Sequence, residues 1–352
     1  MAEILLDGER LDYSGVITPI EGEPAGKHFL SMHQLTDADI AMYLNEAYAA
    51  ESIFVEGADI LRRKQLFALM RQSSTRTGGG FAHAMNKLGG HGLYQGGVDN
   101  SSEAKKEIRL DSEVAFATQT DIYATRTEQE MGPAFSAWAM QHEFERGNLS
   151  RLIPVINAGD GKNEHPSQTM GDFFTIHKQF GTLRGVKVMP FGDLERYRAF
   201  NSLMIGAAVV GMEIYVVESK AAPVPPELAA QLGDSLHRVA SIEEGLEIVD
   251  VVYPGRKPEE YNGDDKAEAK RDKRLTKDYK KWVIDNDKIN LLHDDAIVLH
   301  ARPRGLELAR ETDANPKRRD VQQMEDVIKA RMAIVATHMG KSIIAHVQAN
   351  QV

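Results

Sequence analysis

Ser74, Thr75, Arg76 and Thr77 stand between an apolar run and a helical pattern, and their side chains are the kind that hold a phosphate. Before them, Lys64 to Met70 reads as a buried strand. After them comes a glycine triplet, and then Phe81, Ala84, Met85 and Leu88 recur at helical spacing. A strand that turns into a helix through hydroxyl residues and an arginine aims backbone N–H groups, hydroxyls and a guanidinium at one spot. That spot suits a dianion, because a helix N-terminus is itself partly positive. The same four residues also fit a plain helix cap followed by a solvated arginine.

A second segment bears on that choice. Asn157-Ala158-Gly159-Asp160-Gly161-Lys162-Asn163-Glu164-His165-Pro166-Ser167-Gln168-Thr169 follows an apolar run, Leu152 to Ile156. It opens a helix with Met170, Phe173, Phe174 and Phe180 on one face. Pro166 fits the first turn, and Thr169 with Asp172 has the spacing of a capping box. His165 and Gln168 are three apart and can face one side, where a histidine also fits a cap or loop role.

The elements that must carry these residues follow from pattern and composition. The chain has 352 residues, 42% of them hydrophobic, enough for a sizeable core and about two domains. Strand runs at 64–70, 121–125 and 152–156 alternate with helices, and the helix opened by Pro166 leads into a second series. There the strands are 186–191, 213–217, 248–253 and 296–300. Two doubly wound parallel-sheet α/β domains result, and ligands of such sheets bind beyond the C-terminal strand ends. Thr36 is the expected N-cap of a first helix carrying Ile40, Tyr43 and Leu44. Pro190 inside a strand conflicts with ladder pairing. The densely charged stretch from Arg256 to Trp282 reads as a solvated loop.

A net charge of −10 argues against nucleic acid or an anionic membrane as partner. The absence of cysteine removes disulfides, thiolate nucleophiles and zinc–thiolate sites. The N-terminus lacks signal-peptide character and no apolar run nears the about 18 residues of a membrane span, so a cytoplasmic protein is expected.

The S-T-R-T and H-P-x-Q motifs, in this order, resemble those of the aspartate/ornithine carbamoyltransferase family, over about residues 27 to 345. The stretch N-A-G-D-G-x-N-x-H-P-x-Q-T is similar to the aspartate branch. The resemblance implies a carbamoyl-phosphate domain over 1–164, with 1–26 as an N-terminal arm, and a second-substrate domain over 165–325. Interdomain helices would join the two, and a C-terminal helix over 326–352 would pack back on the first. It implies transfer of the carbamoyl group to the α-amine of L-aspartate in pyrimidine synthesis, without metal or cofactor.

It also implies roles by position. Ser74, Thr75, Arg76, Thr77 and Arg126 would bind the phosphate, His165 the carbonyl oxygen and Gln168 the carbamoyl nitrogen. Ser102 and Lys106 would reach a neighbouring subunit's site, so a homotrimer or a multiple of trimers is expected, with room for a regulatory chain. Arg76, Thr77, His165 and Lys106 are the expected catalytic group. Arg198 and Arg256 would pair with the acceptor's carboxylates, while Arg302 and Pro303 occupy the loop whose carbonyls receive the amine. The charged stretch would be a loop closing over the second substrate.

Several positions depart from the family. Pro258 stands for a usual Gln, Ala301 and Arg302 for Pro and Leu, and Gly78 and Ala82 for a basic and an acidic residue. Gln72 and Tyr261 replace a Glu and an Arg that pair on closure. Arg302 is expected either to add positive charge near the amine, or to point to solvent or pair with a carboxylate of the closing loop. The departures leave two other readings open: a different anionic amine acceptor, and a catalytically weak paralogue that serves as a binding or structural subunit.

Overall fold

A computed structural model describes residues 5–6, 9–10, 12–13, 15–97, 103–258 and 266–350. The chain divides into two compact units, the first made of Met1–Phe174 and Val327–Val352, the second of Thr175–Asp326.

The first unit opens with a short antiparallel hairpin, β1 (Leu5–Leu6) and β2 (Glu9–Arg10). Helix α1 (Asp37–Ile53) starts where expected. The Thr36 hydroxyl accepts from Asp39 N at 3.1 Å, and the Asp39 carboxylate accepts from Thr36 N at 2.8 Å. Strands β3 (Gln65–Met70), β4 (His91–Gly96), β5 (Ile122–Thr127) and β6 (Val155–Asp160) then alternate with α2 (Thr75–Lys87), α3 (Arg109–Thr118) and α4 (Gly132–Glu145). The four strands form an all-parallel sheet in the order β4-β3-β5-β6. Leu66, Ala68, Leu69, Ile122, Tyr123, Val155 and Ile156 are fully buried, as in sheets covered on both faces.

Helix α5 (Pro166–Phe180) begins in the first unit and ends in the second. The second unit adds β7 (Lys187–Phe191), α6 (Arg198–Val210), β8 (Glu213–Val216), α7 (Pro226–Leu232), β9 (Leu236–Arg238) and α8 (Ile242–Leu246). After these come β10 (Val251–Pro254), α9 (Lys266–Lys281), α10 (Asn286–Ile289) and β11 (Ile297–Val298). Its sheet is also parallel, in the order β11-β10-β7-β8-β9. Helix α11 (Asp320–His338) returns to the first unit, followed there by α12 (Ile343–Ala349).

Both sheets have a switch point. In the first, the chain runs outward from β3 to β4, then resumes on the other side of β3 with β5. In the second, it runs from β7 through β8 to β9, then resumes beside β7 with β10. At such a reversal the loops leaving the two central strands turn opposite ways and leave a crevice.

Several expectations change. The third strand starts at Val155 and includes Asn157 to Asp160, all buried. Arg126 lies within β5, its Cα paired with Met70, and the register shifts between Thr125 and Thr127. The N-terminal arm is partly core, with Tyr13, Val16 and Ile20 buried. The last helix is two. Gly340, at φ 67°, ends the first, and Ser342 caps the second by accepting from Ala345 N at 3.1 Å. Thr169 lies inside the first turn of α5, so it is no cap.

Pro190 has a simple explanation. The carbonyls of Lys187 and Phe191 accept from Asp250 N and Gly255 N on the β10 side. By alternation Pro190 faces β8, whose pairing with β7 ends at Val188. The missing N–H falls where no ladder bond is required.

Candidate active site

The first switch point gathers the phosphate-type residues. Ser74 is the N-cap of α2, with extended backbone at φ −157°, and its hydroxyl donates to Thr77 Oγ1 at 2.9 Å. Arg76 is exposed on the first turn, and Thr77 is buried beneath it. From β5, Arg126 reaches the same turn: Nη1 is 3.3 Å from Ser74 Oγ, and Nε donates to Gln72 Oε1 at 3.1 Å. Gln72 N in turn donates to the Arg126 carbonyl at 3.2 Å. The residue that departs from the family's Glu therefore orients the arginine of the neighbouring strand.

Under this turn lies a cation that sequence reasoning missed. Arg331 of α11 is only 4% exposed and packs its guanidinium 4.9 Å above the Phe81 ring. Nη1 is 3.4 Å from the Arg76 carbonyl, and Nε has no hydrogen-bond partner. A Cβ at position 80 would come within 2.2 Å of Nη1, so glycine makes room for this arginine. Burial, with the charge of Arg76, pulls its pKa down to about 9, against the pull of Asp172. The signal was available: one arginine interrupts the buried run Ala330 to Ala336.

The end of β6 carries the second motif. Asn157 Oδ1 accepts from Gly159 N at 2.8 Å, and Asn157 Nδ2 donates to the Leu30 carbonyl at 2.8 Å. Glu164 accepts from Met32 N at 3.0 Å and from the Ser31 hydroxyl. These bonds hold the loop that delivers His165, which is 6% exposed, directly before Pro166 at the start of α5. Ser167 Oγ lies 3.4 Å from His165 Nδ1. Gln168 Nε2 donates to Asp172 Oδ1 at 2.9 Å, which leaves its amide oxygen as an acceptor for an N–H group. Asp160 is nearly buried, and one of its oxygens has no partner. Burial, with Glu164 adding repulsion, pushes its pKa up to about 7.

Lys106 is exposed, at φ 69°, just after a 3₁₀ turn, Glu103–Lys105. That turn is anchored in its own chain, since Arg71 pairs with Glu103 at 2.6 Å and with Glu113 at 3.1 Å. Ser102 lies outside the described residues, as does Tyr261.

The second switch point gathers other arginines. Arg198, 7% exposed, opens α6 after β7, and Arg256 follows β10 and donates to the Lys257 carbonyl at 3.1 Å. Pro258, two residues after Arg256, is buried. Arg302 precedes a cis bond to Pro303. Its guanidinium pairs with Asp320, which Arg318 also engages at 2.7 Å. The extra positive charge expected there is thus met by a buried carboxylate. The loop is further shaped by His300, whose Nε2 is 2.8 Å from Glu307 Oε1 and whose Nδ1 accepts from Arg302 N at 2.8 Å. That pattern fits a neutral imidazole with its proton on Nε2, and burial holds its pKa below the ordinary histidine value.

Two consecutive stretches of the chain match known family domains. Residues 27–178 match the family described as aspartate/ornithine carbamoyltransferase, carbamoyl-P binding domain, and residues 184–338 match its Asp/Orn binding domain. The chain belongs to the aspartate/ornithine carbamoyltransferase family. It is 30% identical over 315 residues, 89% of its length and 99% of the relative's, to the aspartate carbamoyltransferase catalytic subunit of Archaeoglobus fulgidus. The corresponding subunit of Methanopyrus kandleri is 28% identical over 320 residues, 90% of this chain and 98% of that one. Among solved structures, aspartate transcarbamoylase from Trypanosoma cruzi in complex with carbamoyl phosphate and aspartate superimposes with a TM-score of 0.79. It is 26% identical, covering 91% of this chain and 98% of that one.

Proposed function

We propose that this protein transfers the carbamoyl group of carbamoyl phosphate to the α-amine of L-aspartate, giving N-carbamoyl-L-aspartate and phosphate in pyrimidine synthesis. The observation that carries the reading is the convergence of Ser74, Thr77, Gln72 and Arg126 on the first turn of α2. Two hydroxyls, a helix N-terminus and two arginines, Arg76 and Arg126, match a phosphate dianion.

The amine nitrogen attacks the carbonyl carbon and a tetrahedral oxyanion forms. The carbon–oxygen bond to phosphate then breaks, and the amine's proton leaves with the phosphate. His165 and Thr77 donate to the oxyanion, Gln168 accepts from the carbamoyl NH₂ through its amide oxygen, and Arg76 steadies the leaving phosphate. Such fixed donors act where charge develops. Arg198 and Arg256 pair with the acceptor's carboxylates, and carbonyls of the loop at Arg302 and Pro303 accept from the amine. With Arg302 neutralised by Asp320, the amine meets carbonyl dipoles instead of a bare cation. Ser102 and Lys106 complete a neighbour's site in a homotrimer, which the exposed, locally anchored position of Lys106 permits. The protein is read as cytoplasmic and acting without cofactor.

Steady-state kinetics at saturating carbamoyl phosphate with aspartate, glutamate, ornithine and small amides test the reading. Aspartate should turn over and ornithine should not. An acceptor that outpaces aspartate by about tenfold, roughly 1.4 kcal/mol of discrimination, would replace the assignment.

A further inference from the structure

The charged stretch after Arg256 reads as a solvated loop, yet 266–281 is helix α9, with Leu275 and Tyr279 buried. Tyr279 is the unusual residue. Its hydroxyl donates to the Gly255 carbonyl at 2.8 Å and accepts from Asp193 N at 3.1 Å. Gly255 directly precedes Arg256, and Asp193 begins the turn that ends in Arg198. One oxygen thus ties together the two loops that leave β7 and β10 at the switch point. The fit is close: a Cβ on Gly192, at φ 135°, would come within 2.7 Å of both the Tyr279 oxygen and the Gly255 carbonyl.

Ion pairs from the same helix reinforce both loops. On the β7 side, Arg271 Nη2 contacts the two oxygens of buried Asp193 at 2.8 and 2.9 Å, and Arg196 pairs with Glu268 at 2.6 Å. On the β10 side, Lys257 Nζ reaches Asp272 at 2.6 Å. Burial pushes the tyrosine's ionisation well above its ordinary range, so the hydroxyl remains a donor at every working pH.

We infer that Tyr279 is a positioning residue for the acceptor: its hydroxyl sets the spacing of the loops carrying Arg198 and Arg256, and so the separation of carboxylates the enzyme accepts. This rests on the reading of those arginines as carboxylate ligands. A bidentate or charge-assisted contact is sensitive to displacements well below 1 Å. Loosening the loops should therefore cost acceptor binding first, and leave the phosphate turn of the other unit unaffected.

The test is Tyr279→Phe, which removes both hydrogen bonds at nearly constant volume. Its KM for aspartate should rise about tenfold with kcat changed less than threefold. Binding of inorganic phosphate, followed by calorimetry, should match the parent. Hydrogen exchange should quicken together in 190–198 and 254–258. Arg271→Met should act in the same direction, and Arg271→Lys should recover part of the loss. An unchanged aspartate KM, or an equal fall in phosphate affinity and kcat, would overturn the inference. Exchange that quickens in neither loop, or in α9 alone, would do so as well. If the parent protein fails to use aspartate, the functional reading falls, and the exchange experiment still decides whether Tyr279 couples the loops.

Discussion

Arg76 lies on the first turn of α2 and Arg331 of α11 lies beneath it, and removing each should leave a different signature in stability. Arg76 is exposed on the phosphate turn, so Arg76→Ala should lower turnover by roughly two to three orders of magnitude with the fold intact by circular dichroism. Arg331 is buried with its Nε lacking a partner. Replacing a buried ion by an apolar side chain of similar length is often neutral or stabilising. Arg331→Met should therefore unfold at an equal or higher temperature, yet bind phosphate about tenfold more weakly, roughly 1.4 kcal/mol. Thermal unfolding and phosphate titration on the same sample separate the two effects; lower stability with normal phosphate binding would show the arginine to be purely architectural.

Two other buried groups give a pH prediction. His28 accepts from Val155 N at 3.0 Å through Nδ1, and burial, with His338 adding repulsion, holds its pKa down to about 3. Between about pH 6.5 and pH 4 the unfolded chain takes up a proton that native His28 refuses, so stability falls with acid. The slope is about 1.4 kcal/mol per pH unit. Asp160 works in the other sense. Native Asp160 keeps a proton up to about pH 7 that the unfolded carboxyl gives up near pH 3.8, so it loses stability as pH rises through that window. In denaturant melts from pH 4 to 6.5 the slope of stability against pH should become more negative, by about 1.4 kcal/mol per unit, for His28→Asn, whose amide oxygen can replace Nδ1, and more positive by about as much for Asp160→Asn.

At the scale of elements, what could be read from the chain follows from how local each signal is. The run before Ser74 and the Thr36 cap were readable because apolar sequence and cap chemistry act within a few residues. β4 escaped notice because His91-Gly92-Leu93-Tyr94-Gln95-Gly96 is a glycine-rich edge strand with little buried apolar pattern. Helix α9 reads as a loop from sequence because only Leu275 and Tyr279 turn inward among its many charges. The partners of Arg126 and Arg302 were unreadable, since Gln72 and Asp320 reach them only through strand register and a long chain excursion. Motif chemistry was legible where neighbours in sequence supply it, and illegible where the fold supplies it.

For the whole molecule, the exposed Lys106 and the Arg71–Glu103 anchor beneath it make shared sites testable. In the homotrimer proposed above, Lys106→Ala and Arg76→Ala proteins, each inactive alone, should regain activity when dissociated, mixed and reassembled, because a mixed ring would contain one site with both residues intact. Hybrids confirmed by mass spectrometry that stay inactive would place Lys106 in its own chain's site or outside catalysis.

The pairing of one switch point with each sheet has an evolutionary consequence. On the proposed reading, the residues that recognise the activated group cluster at one strand crossing, and those that recognise the acceptor cluster at another, encoded further along the chain. Mutations that explore new acceptors can accumulate in the second set while the first continues to grip an unchanged donor. A lineage of this architecture can thus diversify its products without rebuilding the chemistry that drives them. The substitutions at Pro258 and Arg302 fall in that freer half of the gene.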